Sequence, residues 1–140
     1  MVVVSGQTAL DAFAMGVEAE FAGTGRSVAG ARAFVMDALW QHGLNRLAAV
    51  ASVVTSEVAT NAVRHARTDF RLAVLPFPRG VVVEVWDGSA TMPARVDPRP
   101  HEVSGHGLML VDALADEWGV RLEEGGKCVW FVLSVVDAAD

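Results

Sequence analysis

Cysteine occurs once in this chain of 140 residues, at Cys128, which excludes an internal disulfide and any cysteine-based metal site. A lone thiol suits a reducing cytosol, so a cytoplasmic protein is expected. Long apolar runs are also missing. No stretch approaches the roughly 20 residues that cross a bilayer, and no membrane partner is expected. Met1–Val4 is apolar but far shorter than a signal-peptide core, with no basic residues ahead of it. Basic residues are scarce: 11 Lys and Arg stand against 17 Asp and Glu, for a net charge of -6. A pI near 5.1 speaks against a general nucleic-acid binder, which would carry a basic face, and no direct nucleic-acid contact is expected, although the composition leaves room for a local basic patch. The histidines His42, His65, His101 and His106 have no metal-ligand spacing, and there are no internal repeats.

What is present reads as one globular domain. Hydrophobic residues make up 52% of the chain and charged residues 20%, enough apolar surface for a single core. Residues 1–26 form an N-terminal segment whose Val17–Phe21 alternates like an edge strand. Residues 27–135 carry the domain, and 136–140 are a tail. Ser27 is placed to cap a helix running to His42, with Val28, Ala31, Val35, Leu39 and Trp40 at helical spacing and Gly43 as its stop. Arg46–Ala66, free of Gly and Pro, predicts a second, longer helix. Phe70, Leu72 and Val74, then Val81, Val83 and Val85, alternate around a Pro76–Gly80 turn and predict a hairpin. Ser89–Ser104 contains Pro93, Pro98 and Pro100 and reads as a long loop. Gly107–Ala115 predicts a third helix, and Trp118–Leu122 and Cys128–Val135 predict strands around a Glu-Glu-Gly-Gly-Lys turn. The order implies an α+β two-layer sandwich, with three helices on one face of a mixed, mainly antiparallel sheet.

Three features carry chemistry. On the second helix, Glu57, Asn61, Arg64 and His65 recur at i, i+4, i+7 and i+8 and so share a side. That side continues the apolar Val50, Val53 and Val54 and is expected to meet the core, whereas the Ala, Ser and Thr residues lie opposite. Polar groups on a buried stripe line a site or a wet cleft, because burying them unpaired costs several kcal/mol. The competing reading is a helix end that has left the core with its charges solvated. Second, Val81–Trp86 ends in Asp87-Gly88, a carboxylate at a strand tip, although Asp-Gly alone is more often just a turn. Third, Gly105-His106-Gly107-Leu108 opens a predicted helix, where backbone N–H groups can approach phosphates. A lone Gly-x-Gly more often marks a tight turn. The order and spacing of all these features narrow the choice.

In that order the sequence resembles the GHKL (Bergerat-fold) ATPase/kinase superfamily, in particular the short anti-sigma-factor serine/threonine kinases of actinobacteria. Ser56–Ala66 is similar to the family's N-box, Val83–Asp87 to the strand entering its first glycine box, and Ser104–Leu108 to its second. Trp118–Val120 with Gly125–Trp130 is similar to its closing hairpin. The resemblance implies ATP and Mg²⁺ as ligands. Asn61 would coordinate Mg²⁺ on the phosphates, and Glu57 would act as catalytic base. Asp87 would accept a hydrogen bond from the adenine amino group, with Gly88 beside it. Gly105, His106, Gly107 and Leu108 would meet the phosphates, Arg64 could neutralise them, and the loop Ser89–Ser104 would be the ATP lid, with Arg95 and Arg99 as its phosphate-facing cations. Two departures are visible: Ser89 and Thr91 stand where the first box usually has glycines, and the second box has only Gly105 and Gly107.

The resemblance further implies transfer of the ATP γ-phosphate to an anti-sigma-factor antagonist protein, and binding of a sigma factor in a partner switch. A homodimer is compatible with it. The alternative is a nucleotide-binding switch module with little or no kinase activity, which the missing glycines favour and the retained Glu57 and Asn61 oppose. A third reading, an ATPase clamp, needs further domains. Ser5, Ser52 and Ser134 sit in no nucleophile elbow, and Trp40, Trp86, Trp118 and Trp130 are expected to pack the core or its edge.

Overall fold

A computed structural model describes residues 16–89 and 103–135, with side chains in the second stretch described from Leu108 onward. Three helices, α1 (Arg26–Gln41), α2 (Ala48–Asn61) and α3 (Val103–Leu114), accompany five strands. The strands are β1 (Val17–Phe21), β2 (Phe70–Phe77), β3 (Gly80–Asp87), β4 (Glu117–Glu123) and β5 (Gly126–Ser134). They form one sheet in the order β1-β2-β3-β5-β4, and every pairing is antiparallel. The α+β sandwich expected from the sequence is present, and Val17–Phe21 is its edge strand. β3 and β5 lie inside the sheet, which explains their nearly unbroken apolar runs.

Alternation sorts the strand residues between two faces. Val81, Val83 and Val85 of β3 and Val129, Phe131 and Leu133 of β5 join the larger core with Ala31, Val35 and Leu39 of α1 and Ala51, Val54 and Val58 of α2. The other face carries a smaller cluster of Val82, Cys128, Trp130 and Val132, flanked by Leu75, Phe77 and Trp86.

Several local expectations need correction. Helix α1 starts at Arg26, its N-cap is Gly25, and no side chain caps it. The Ser27 amide instead donates to the Thr24 carbonyl at 3.0 Å, so Ser27 lies inside the first turn. The stop at Gly43 is as expected: Gly43 has φ +70°, and the Leu44 amide donates back to the Leu39 carbonyl at 2.8 Å, a Schellman-type end. Trp40 is not a core residue; it is 64% exposed, one position beyond the buried Leu39. The predicted Arg46–Ala66 helix is three structures in series: a 3₁₀ turn at Asn45–Leu47, α2, and a π-helical turn at Ala62–Ala66. Helix α3 begins four residues before the predicted Gly107.

The face away from the helices holds a buried charge. Glu84 accepts from Arg121 Nη2 at 3.0 Å, and Arg121 Nε donates to Glu123 at 3.2 Å. Arg71 lies over the Trp86 ring at 4.3 Å, a cation–π contact. Burial raises the Glu84 pKa above its ordinary 4.5, outweighing the opposing pull of Arg121. The Cys128 thiol, sealed mainly by burial and then by the nearby Glu84 charge, is pushed up to about 12 and stays protonated at neutral pH. Between its unfolded and folded pKa, Glu84 binds more protons in the folded protein. Its contribution therefore makes stability fall as pH rises from 4.5 through the folded value. Glu84→Gln should flatten urea-measured stability across that window; an unchanged pH slope would show that another group sets it.

Candidate functional site

Helix α2 places the N-box residues on its flank. Its buried side is Ala51, Val54, Thr55, Val58 and Ala59. Val53 is 42% exposed. This corrects the expectation for Val53 alone: Val54 is fully buried, and Val50, partly buried, packs against the core as expected. Glu57 and Asn61 are half-buried there, at the border between core and solvent. The polar stripe therefore edges the core and does not extend into it.

Beyond Asn61 the winding changes. The Arg67 amide donates to the Ala62 carbonyl at 3.1 Å, an i→i−5 bond, and Arg67 closes the turn in the left-handed region at φ 56°. A π turn advances each side chain by a smaller angle than an α turn, so Arg64 and His65 are carried away from the row defined by Glu57 and Asn61. Both are exposed. The i, i+4, i+7, i+8 spacing assumed one uniform helix, and the π segment breaks it. Single π turns inside helices recur at functional sites.

The tip of β3 is clamped from β5 on one side and from the segment just before β2 on the other. Asp87 is 8% exposed and lies directly opposite Lys127 of β5. Lys127 Nζ donates to Asp87 Oδ1 at 3.0 Å and to the Ser89 carbonyl at 3.2 Å. The Ser89 amide adds a bond to Asp87 Oδ1 at 2.8 Å. From the other side, the Gly88 amide donates to Thr68 Oγ1 at 2.9 Å. Gly126, next to Lys127, has no room for a side chain, since a Cβ there would fall 1.9 Å from the Asp87 carbonyl oxygen. The sequence reading missed Lys127. Its signal is a cross-strand register, which only the paired strands reveal.

Asp87 Oδ2 differs from Oδ1. No hydrogen bond among the described residues reaches it. Among the described residues Oδ2 is therefore the carboxylate oxygen without a donor. A cleft of about 260 Å³ touches Asp87, lined also by Glu20, Asp69, Phe70, Arg71 and Trp86. Its lining includes neither Glu57 nor Asn61, so it does not join the strand tip to α2.

The second glycine box lies within α3 and does not precede it. Gly105 is the third residue of the helix and Gly107 the fifth. In an α-helix the N–H of the third residue has no intrahelical acceptor, whereas that of the fifth bonds the first carbonyl. Gly105 therefore lies among the positions whose amides have no intrahelical acceptor, and Gly107 does not. The His106 side chain lies outside the described residues. Leu108 is buried in the packing. Residues 90–102, with Arg95 and Arg99 and most of the expected lid, lie outside the described residues. No group of three or more His, Cys, Asp and Glu that could hold a metal occurs among the described residues. One amide oxygen at Asn61 fits a Mg²⁺ that arrives on phosphates, because Mg²⁺ takes few protein ligands beside phosphate and water.

The histidine kinase-like ATPase domain family matches residues 21–133, and the chain belongs to that family. Among 11 matching chains of solved structures, one contains the RsbU and RsbW domains of Rv1364c from Mycobacterium tuberculosis. It shares 18% identity at a TM-score of 0.65, over 84% of this chain and 31% of that one. The present chain thus spans about a third of that relative's length and shares its fold. A search of curated proteins found no match. No helix among the described residues is long and apolar enough to cross a membrane.

Proposed function

We propose that this ATPase-type domain binds Mg-ATP and passes the γ-phosphate to a serine or threonine of an anti-sigma-factor antagonist, binding a sigma factor in the same partner switch. The observation that carries the reading is Asp87, a buried carboxylate at a strand tip with one oxygen held and the other without a donor among the described residues. An ionised carboxylate accepts hydrogen bonds and cannot donate, so Oδ2 suits the adenine amino group and opposes the guanine carbonyl. Asn61 would hold Mg²⁺, which when bound neutralises phosphate charge. Glu57, one turn earlier, would take the proton from the attacking hydroxyl as its oxygen forms the new bond to phosphorus and ADP departs. The Gly105 amide at the start of α3 would face the phosphates. The resemblance to anti-sigma-factor kinases and the fold shared with the RsbW-containing chain support the choice of protein partner.

A second reading, a nucleotide-liganded switch without transfer, draws support from Ser89. Its amide is bonded to Asp87 where the first glycine box usually offers a free glycine backbone, and Arg64 is exposed. Calorimetry with ATP and GTP tests the shared premise: GTP should bind at least about tenfold more weakly, as expected for a buried donor losing a charged acceptor. Equal affinities would overturn it. Labelled phosphate appearing on a candidate antagonist with Mg-ATP supports the kinase, and tight ATP binding without transfer supports the switch.

A further inference from the structure

We infer that Lys127 is a positioning residue for nucleobase selection, holding Asp87 so that a single carboxylate oxygen reads the purine 6-position. The inference rests on the proposed role of Asp87 and assigns the chemistry that makes that role selective.

A free carboxylate at a strand tip could rotate about its side-chain torsions, with either oxygen or both accepting. It could then satisfy a water, an amide or a ring N–H as readily as an exocyclic amine. Here Oδ1 accepts from two donors, Lys127 Nζ at 3.0 Å and the Ser89 amide at 2.8 Å. The ammonium spends a second donor on the Ser89 carbonyl, closing a ring of three bonds that fixes the carboxylate plane. Ammonium and carboxylate are both nearly sealed, with side chains 7% and 3% exposed. Among the described residues no donor reaches Oδ2. Below the pair, the close approach of Gly126 to the Asp87 backbone and the Thr68 bond to the Gly88 amide hold the strand tip itself. The result is one acceptor of fixed direction, which selects a ligand by a single donated hydrogen.

Lys127 also connects two parts of the chain. Through the Ser89 carbonyl it ties the first residue after the Asp-Gly pair to the last inner strand, so the base-reading group and the start of the following connection share one anchor. A lysine that only stabilised the fold would affect all nucleotides alike. One that aims Asp87 should affect only nucleotides that offer the amino group.

The test compares ATP with purine riboside triphosphate, which lacks the 6-amino group, by calorimetry in the full chain. Wild type should prefer ATP by about tenfold or more. In Lys127→Met the preference should collapse to within about twofold, mainly through weaker ATP binding, with the desamino analogue little changed. Lys127→Gln keeps a donor toward Oδ1 without the charge; it should lose part of the preference and serves if the methionine variant does not fold. Lys127→Arg should restore most of it. An equal loss for both nucleotides, or an ATP preference intact in either neutral variant, would overturn the role of Lys127 while leaving Asp87 as the base reader. No preference in the wild type would overturn both.

Discussion

Asp87→Ala is expected to lower the unfolding free energy by about 3–5 kcal/mol, because it strands the Lys127 ammonium in a nearly sealed site. Exposed ion pairs contribute at most about 1 kcal/mol, so the size of the loss reports burial. Against a domain stability of about 5–15 kcal/mol, the change is large enough to threaten folding. The pair itself need not be strongly stabilising, since two charges leave water to form it. For that reason the double variant Asp87→Ala/Lys127→Met should recover most of the loss, with methionine filling the lysine volume. Urea denaturation with unchanged slope is the measurement. A single-variant loss under about 1 kcal/mol, or a double variant as unstable as the single, would show that the pair is not energetically buried.

Glu57→Ala and Asn61→Ala should separate binding from chemistry. Removing a general base costs on the order of 10²–10⁴ in turnover, and a base acts chiefly in the transition state, so nucleotide affinity should survive in Glu57→Ala. Asn61→Ala should instead lose Mg-nucleotide binding, because its amide oxygen would be the protein's donor to the ion. Calorimetry with Mg-ATP, paired with phosphate transfer, distinguishes them. Equal loss of ATP binding in both variants would make Glu57 a ligand-binding group and end its assignment as base. The half-buried placement of both residues on the α2 flank suits the division. Each can be desolvated by a ligand without first being sealed from it.

Much of the architecture was legible because it follows from local periodicity. Apolar alternation through Phe70–Val74 and Val81–Val85 marks strands whatever surrounds them, and Gly43 stops α1 through its own backbone freedom. Motif order carried the family, since spacing along a chain survives without knowledge of which residues touch. Misreadings arose where packing chose between locally equivalent options. Val53 and Ala51 are both acceptable on a buried helix face. Tertiary packing buried Ala51 and left Val53 at the surface. Nothing in the composition of Ala62–Ala66 announces a π turn, and the wider winding there moved Arg64 and His65 out of the row they occupy on an ideal helix.

The residues themselves determined that this chain makes an α+β sandwich with a carboxylate at a strand tip and a polar edge on its second helix, because hydrophobic period and glycine placement act over a few neighbouring residues. Which oxygen of that carboxylate is held, and by what, was decided only by tertiary structure. Lys127 is 40 residues from Asp87 along the chain and meets it because antiparallel pairing of β3 with β5 sets those two positions opposite each other. Register is a property of the whole sheet, fixed by burial of every alternate side chain at once, and no window of sequence around either residue contains it.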